Sequence, residues 1–317
     1  MKFLRILISL TLITILSNLI CRGQNLIQYS SLIDINRLKS LISWLSDDLT
    51  EGRGLGSTGH QMAGSLIIDK FNENSLSHFY SNSYVQSFRV DTLTGRNIVG
   101  VVRSKYYSDK YIVISAHYDH LGKLRNNIYN GADDNASGVA LLLELARVFA
   151  NMRENREGLN KNLIFVAFDA KENNLKGSEA FIKRLPVDKR KIICNINLDQ
   201  IGCTFSPPGK NKDYLLVLGA NSHKDFKRLA IKAGRDAGVV TELDFSFYGS
   251  KEFADVFYSS SDQHNFYKAG IPSLLLTSGV HMHTYKPTDD WYFIDFPVLV
   301  NRARLIFNLI YQISYTL

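Results

Sequence analysis

The stretch Tyr111-Ile-Val-Ile-Ser-Ala-His117-Tyr-Asp119-His120, followed at a short distance by Gly131-Ala-Asp133-Asp134-Asn-Ala-Ser-Gly138, decides how this chain is read. A continuous apolar run of this length is what a parallel strand covered on both faces requires. It ends in His-x-Asp, and a second acidic cluster sits in a glycine-flanked turn that opens a helical pattern. An imidazole, a carboxylate able to bridge, and rigid backbone to aim both are the parts that divalent-metal chemistry needs.

Working outward, strands and helices alternate. Strands are predicted at Tyr84–Val90, Asn97–Val102, Tyr111–Ala116, Leu163–Phe168, Ile192–Asn197, Tyr214–Leu218 and Ser273–Thr277. Helices are predicted at Ala136–Ala150, Gly177–Arg184, His223–Ala237, Gln263–Ala269 and Phe296–Tyr315. They are preceded by one carrying Ile33, Ile35, Leu38, Leu41, Ile42 and Leu45 and another over Gln61–Asn72. The pattern is that of an α/β fold with a largely parallel centre and antiparallel edges from the first two strands. The glycine-rich segment Glu51–Gly59 lacks a strand–turn–helix phosphate motif and reads as a flexible connection or pocket rim.

Residues 1–23 read as an export signal: Lys2 and Arg5 precede an apolar run from Ile6 to Ile20, too short and too interrupted for a membrane span. Cleavage after Gly23 leaves a single domain over residues 24–317. A lipid-anchored Cys21 is a second choice, disfavoured by Ile20, and an uncleaved anchor a third. Removing the leader takes away three of the seven surplus positive charges. What remains is ordinary surface charge, and no aromatic-plus-basic stripe points to nucleic acid. Cys194 and Cys203 are expected as buried free thiols. Oligomeric state is not legible.

Four predicted strands end in candidate ligands: His117 and Asp119; Asp169, Lys171 and Glu172; Asp199; and, after the last, His281 and His283. Ligands of α/β sheets gather beyond the carboxyl ends of the strands. A lone histidine is ordinarily a surface or core residue, and Asp133 or Asp134 taken alone could be a helix cap. Their convergence is what argues for a site.

These motifs resemble the co-catalytic zinc aminopeptidases, which include bacterial leucine aminopeptidases and glutamate carboxypeptidase, with glutaminyl cyclases as relatives. The similarity runs from Gly52-Arg-Gly-Leu-Gly and Arg96-Asn-Ile-Val-Gly through the two opening motifs and Asn197-Leu-Asp-Gln-Ile-Gly202. It ends at Ser261-Asp262 and Gly270-Ile-Pro272. The resemblance implies a zinc-exopeptidase-like three-layer sandwich with a central mixed, mostly parallel sheet. It also implies a peptide substrate and zinc, in two ions. His117 and Asp199 would bind one metal, Asp134 would bridge, Glu172 would bind the second, and Asp119 would orient His117 from behind.

Two positions depart from the family. Where the family has an acidic general base, this chain has Lys171. The last ligand, a histidine before Pro-x-Asp, falls on Tyr285 if Pro287-Thr-Asp289 is aligned without a gap, and on His283 if two extra residues are allowed. Imidazole is the commoner zinc ligand, so His283 is expected there, with His281 next. The readings are a secreted zinc aminopeptidase with an altered base, a pseudo-peptidase acting as a binding module, and a glutaminyl cyclase-like acyltransferase. Tyr248, Phe257, Tyr258 and Trp291 are candidates for pocket walls or core alike.

Overall fold

The computed structural model describes residues 26–155, 157–205 and 211–317; the expected export signal, with Cys21, lies outside them. Eleven strands are present among the described residues. Nine form one mixed sheet, in the order β1 (Ser77–His78), β3 (Leu93–Val102), β7 (Asn162–Phe168), β4 (Tyr111–His117), β8 (Ile192–Leu198), β11 (Ser273–Thr277), β9 (Tyr214–Leu218) and β10 (Glu242–Asp244), with β2 (Val85–Val90) also paired to β3. The remaining two, β5 (Gly122–Leu124) and β6 (Asn127–Tyr129), make a small hairpin. The four central strands β7, β4, β8 and β11 are parallel, while β3 joins β7 and β9 joins β11 in antiparallel fashion.

The apolar runs split by parity, as the two-residue period of a strand demands. Ile112, Ile114 and Ala116 of β4, with Leu163, Phe165 and Ala167 of β7, enter one core. Val113, Ile164, Val166 and Phe168 enter another on the opposite face. The first core is covered by helices that include Ile35–Leu45, Gly138–Glu154 and Phe296–Thr316, the last two in contact through Phe149 and Phe307, whose rings stack at 4.6 Å. The second is covered by Phe181 and Phe266 from helices Lys176–Lys183 and Gln263–Lys268. The result is the expected α/β three-layer arrangement.

The register aligns the strand ends. Ala116 lies beside Ala167, Ser115 beside Asn197, and Leu198 beside Leu276. His117, Asp169 and Asp199 therefore leave the sheet at one edge, in adjacent strands. Cys194 and Cys203 are free and buried. No helix among the described residues is long and apolar enough to cross a membrane.

Sequence patterning missed β1, β5, β6, β10 and helix Lys251–Ser259. The strands missed are two or three residues long, below the length at which alternation is visible. The segment Glu51–Gly59 is also more ordered than a flexible rim. Arg53 is fully buried in it, with a left-handed φ of 51°. Its guanidinium donates to the carbonyls of Leu45 (2.5 Å), Tyr118 (2.9 Å), Asn130 (2.6 Å) and Gly131 (2.8 Å), tying both loops of the opening motifs to one cation. Arg302, from the last helix, does likewise for Ile201, Cys203 and Tyr214.

Replacing a buried, multiply bonded guanidinium leaves carbonyls unpaired, at roughly 1–3 kcal/mol each, partly offset by relief of the buried charge. Arg53→Met is expected to lower unfolding stability by about 3–5 kcal/mol, read as a shift of the urea midpoint. A change under about 1 kcal/mol would show that the four carbonyls are satisfied another way.

Candidate metal centre

The acidic turn between β6 and helix Gly138–Glu154 has a separate task for nearly every residue. Gly131 has φ 58°, and a side chain there would place Cβ 2.1 Å from the Asp134 carbonyl oxygen, so the turn closes only with glycine. Asp133 is structural. Its carboxylate accepts from the Gly202 N–H (2.6 Å) and the hydroxyls of Ser137 (3.0 Å) and Ser278 (3.3 Å), and meets His281 Nε2 at 3.1 Å. Asn135 donates to the Leu198 carbonyl (2.9 Å) and accepts from the N–H groups of Gln200 (3.1 Å) and Gly138 (3.2 Å). Ser137 Oγ accepts from the Ile201 N–H (3.1 Å). From the other side Asp289 accepts from the backbone N–H of both Asp133 and Asp134, each at 3.0 Å. Burial, reinforced by Asp133, pushes the Asp289 carboxyl up to about 7.

All of this leaves the Asp134 carboxylate fully buried, with no hydrogen-bond partner for either oxygen. A charged group so placed is costly unless cations face it. His117 Nε2 lies 3.2 Å from Asp134 Oδ1 and 3.3 Å from Asp199 Oδ1. Its other nitrogen, Nδ1, is 3.0 Å from the Asp119 carbonyl oxygen. That contact is the one an Nδ1–H makes, so Nε2 faces the two carboxylates, as an N–H when it carries a second proton and as a lone pair when an ion takes that proton's place. Asp199 is fixed by Ser261 Oγ at 2.5 Å. Burial opposes an imidazolium at His117, as does Lys171, but Asp199, Asp119 and Asp134 outweigh both and hold its pKa well above the ordinary value. His117 Nε2 thus stands within 3.3 Å of two buried carboxylates, Asp134 and Asp199, the mixed N and O donors that a divalent cation takes.

Asp119 plays a different part from the one expected. Its carboxylate is 3.8 Å from His117 Nδ1 and instead accepts from the backbone N–H of Lys171 (3.0 Å) and Glu172 (3.1 Å). It orients His117 through its own carbonyl and sets the loop after β7 through its side chain.

Glu172 also stands beside Asp134; His117, Asp134 and Glu172 each bring a ligand atom within 4.8 Å of the others, a group that could itself hold a metal ion. Here Lys171 enters. Its buried Nζ is 2.8 Å from Glu172 Oε1, 3.8 Å from Asp134 Oδ1 and 3.1 Å from the Tyr285 hydroxyl. Burial works against the ammonium, yet Asp134, Asp199 and Glu172 raise its pKa well above the ordinary lysine value. The Glu172 carboxyl is pushed up to about 7 by burial, with Lys171 opposing and Asp134 adding to the rise. The 2.8 Å contact is that of a charged pair. Asp169, by contrast, is taken up elsewhere, by His60 Nε2 (2.8 Å) and the Arg96 N–H (2.7 Å).

The expectation for the last ligand is not met. His283 points away: its Nδ1 is 2.9 Å from Thr288 Oγ1 and its ring stacks on Phe293 at 4.0 Å. His281 is committed to Asp133. Consecutive turns, with Thr284 N–H to the His281 carbonyl and Lys286 N–H to that of His283, and a left-handed Tyr285 (φ 57°) bring the tyrosine inward. Counting back from Pro287 without a gap lands on Tyr285, the position passed over above in favour of the imidazole of His283. Sequence reading gave no role to His120, which is buried, has both ring nitrogens unpartnered, and stacks on Tyr285 with centroids 6.2 Å apart. Burial lowers its pKa to about 3, so it is neutral. The aromatics weighed as pocket walls lie apart. Phe257 packs on Phe247, Trp291 lies under Lys39, and Tyr258 lines a cavity of about 530 Å³ bounded by none of the residues above.

Comparison with known proteins bears on the family and the fold. The profile described as "Peptidase family M28" matches residues 97–310. Aminopeptidase YwaD of Bacillus subtilis is 29% identical over 185 residues, 57% of this chain and 35% of that protein. The chain spans about a third to about a half of the first curated relatives it matches. Among solved structures, BSAP, a zinc aminopeptidase from Bacillus subtilis, superposes with a TM-score of 0.69 at 16% identity, covering 88% of this chain and 95% of that one. A glutaminyl cyclase from Porphyromonas gingivalis gives 0.66 at 17% identity, covering 90% and 99%. Under 25% identity such likeness speaks for the fold, and the profile match over two thirds of the residues speaks for descent: this chain belongs to peptidase family M28.

Proposed function

We propose that this chain is an exported, metal-dependent aminopeptidase-type peptidase that removes N-terminal residues from peptides, with zinc as its ion. One observation carries the reading. Asp134 presents two buried carboxylate oxygens without hydrogen-bond donors, beside His117 and Asp199, at the carboxyl edge of the sheet. The names of the relatives support the peptide substrate and the choice of zinc. Export rests on the leader at residues 1–23.

Bound there, an ion supplies Lewis-acid polarisation of a carbonyl and a more acidic water. The protein's own part is positioning. His117 is locked in one tautomer by the Asp119 carbonyl, Asp199 is aimed by Ser261, and the Asp134 backbone is pinned by Asp289. Where a carboxylate base would take a proton, Lys171 is held as an ammonium by Glu172 and accepts none. Loss of a general base costs about 10²–10⁴ in rate, so the peptidase is slow. The same ion pair favours a second reading, a binding module without turnover.

Purified mature protein is expected to contain zinc and to cleave aminoacyl chromogenic substrates in a chelator-sensitive way, with kcat about 10²–10⁴ below that of a relative with a carboxylate base. Metal without turnover on any substrate would select the binding module; no metal would sink both readings. Asp134→Ala is expected to abolish zinc uptake, measured by elemental analysis after dialysis, with the thermal transition retained. Undiminished zinc in that variant would remove Asp134 from the ligand set.

A further inference from the structure

The resemblance read from the sequence implies two ions, and the residues fit that expectation on one side of Asp134 only. The second cation position needs Asp134, Glu172 and a neutral third donor. The two carboxylates are in place, but the chain has put its own cation between them. Lys171 Nζ contacts Glu172 Oε1 at 2.8 Å and Asp134 Oδ1 at 3.8 Å, the two groups a second ion would have to bridge. The residue in the third slot is Tyr285, whose hydroxyl lies 3.1 Å from that same ammonium.

Apart from His120, donors to a second ion are poor. A protonated phenol is a weak donor to a divalent cation compared with imidazole or thiolate, and burial with Asp134 pushes Tyr285 up to about 12. His281 and His283 are engaged with Asp133, Thr288 and Phe293. His120 is the unpartnered imidazole nearest the position, its Nδ1 4.0 Å from both Asp134 and Glu172 and its ring stacked on Tyr285; what stands against an ion there is the ammonium already seated on Glu172. A divalent ion sharing the two carboxylates with Lys171 would sit against a like charge at short range in a buried site. The lysine and the tyrosine thus act together: one supplies the charge, the other holds it in place.

We propose that Lys171, latched by Glu172 and Tyr285, occupies the second cation position, so that the protein takes up one divalent ion, at His117, Asp134 and Asp199. This rests on the metal-site reading above, and the test separates the two. Zinc per chain is measured by elemental analysis after equilibration with excess zinc and desalting. The samples are the full mature chain and its Lys171→Glu/Tyr285→His and Tyr285→His variants. One equivalent is expected in the unmodified chain and in Tyr285→His, and two in the double variant. Two equivalents in the unmodified chain would overturn this proposal and leave the metal-site reading standing. No zinc in the unmodified chain would overturn both. Should the double variant fail to fold, anomalous diffraction at the zinc edge on crystals of the unmodified chain decides. A single peak beside His117 and Asp199 is expected, and a further peak against Glu172 would overturn the proposal.

Discussion

Negative charge gathered in a dry place is the constraint on which the rest of this structure depends. Asp119, Asp134, Glu172 and Asp199 lie within a few ångströms of His117 and Lys171, and Asp134 is sealed from solvent with no donor to either oxygen. Taking a carboxylate out of water costs several kcal/mol even after relaxation, so such a cluster persists only if hydrogen bonds or cations answer it. The protein divides the labour. Asp119 is satisfied by two backbone N–H groups, Asp199 by Ser261, and Glu172 by Lys171. Asp134 alone is given nothing but nearby positive charge. That asymmetry marks it as the group kept for a ligand.

Holding Asp134 in that state needs a stiff turn, and the stiffness comes from the neighbours. Asn135 and Ser137 bind the loop after β8, Asp133 binds Gly202, and Asp289 reaches across from the segment before the last helix. Arg53 closes the arrangement from a third direction through carbonyls of the His117 and Asp134 loops. Three segments distant in sequence therefore meet at one turn. A change in any of them acts on the site by moving the Asp134 backbone, without touching a ligand atom.

How much of this was legible beforehand follows from what each feature depends on. The central strands were legible because burial on both faces forces continuous apolar runs, and their order along the chain, with intervening helices, forces a mostly parallel sheet. The strand-end residues His117, Glu172 and Asp199 could be found because a parallel sheet presents all its carboxyl ends on one edge. What could not be read depended on loop geometry. The inward turn of Tyr285 is set by a left-handed φ and two consecutive turns; ungapped spacing allowed it, and the preference of zinc for imidazole put His283 ahead of it. Arg53 sat in a glycine-rich segment whose composition argues for flexibility, while its side chain does the opposite by collecting four carbonyls. Asp119 kept its place behind His117, but its backbone carbonyl rather than its carboxylate meets the ring, a distinction no sequence pattern encodes.

The two departures from the family are best understood as one. A lysine introduced alone between Asp134 and Glu172 would face a histidine in the third slot and, with an ion present, a like charge. A tyrosine introduced alone would leave two carboxylates without a full ligand set. Together they satisfy each other: the ammonium neutralises the carboxylates, the phenol oxygen accepts from the ammonium, and the tyrosine ring lies against the neutral His120. Nothing on the other side of Asp134 needs to move for this exchange, since His117 and Asp199 are fixed by Asp119 and Ser261 rather than by Glu172. Asp134 is the hinge of the arrangement, and the groups on its two sides can change independently because each is held by its own supports.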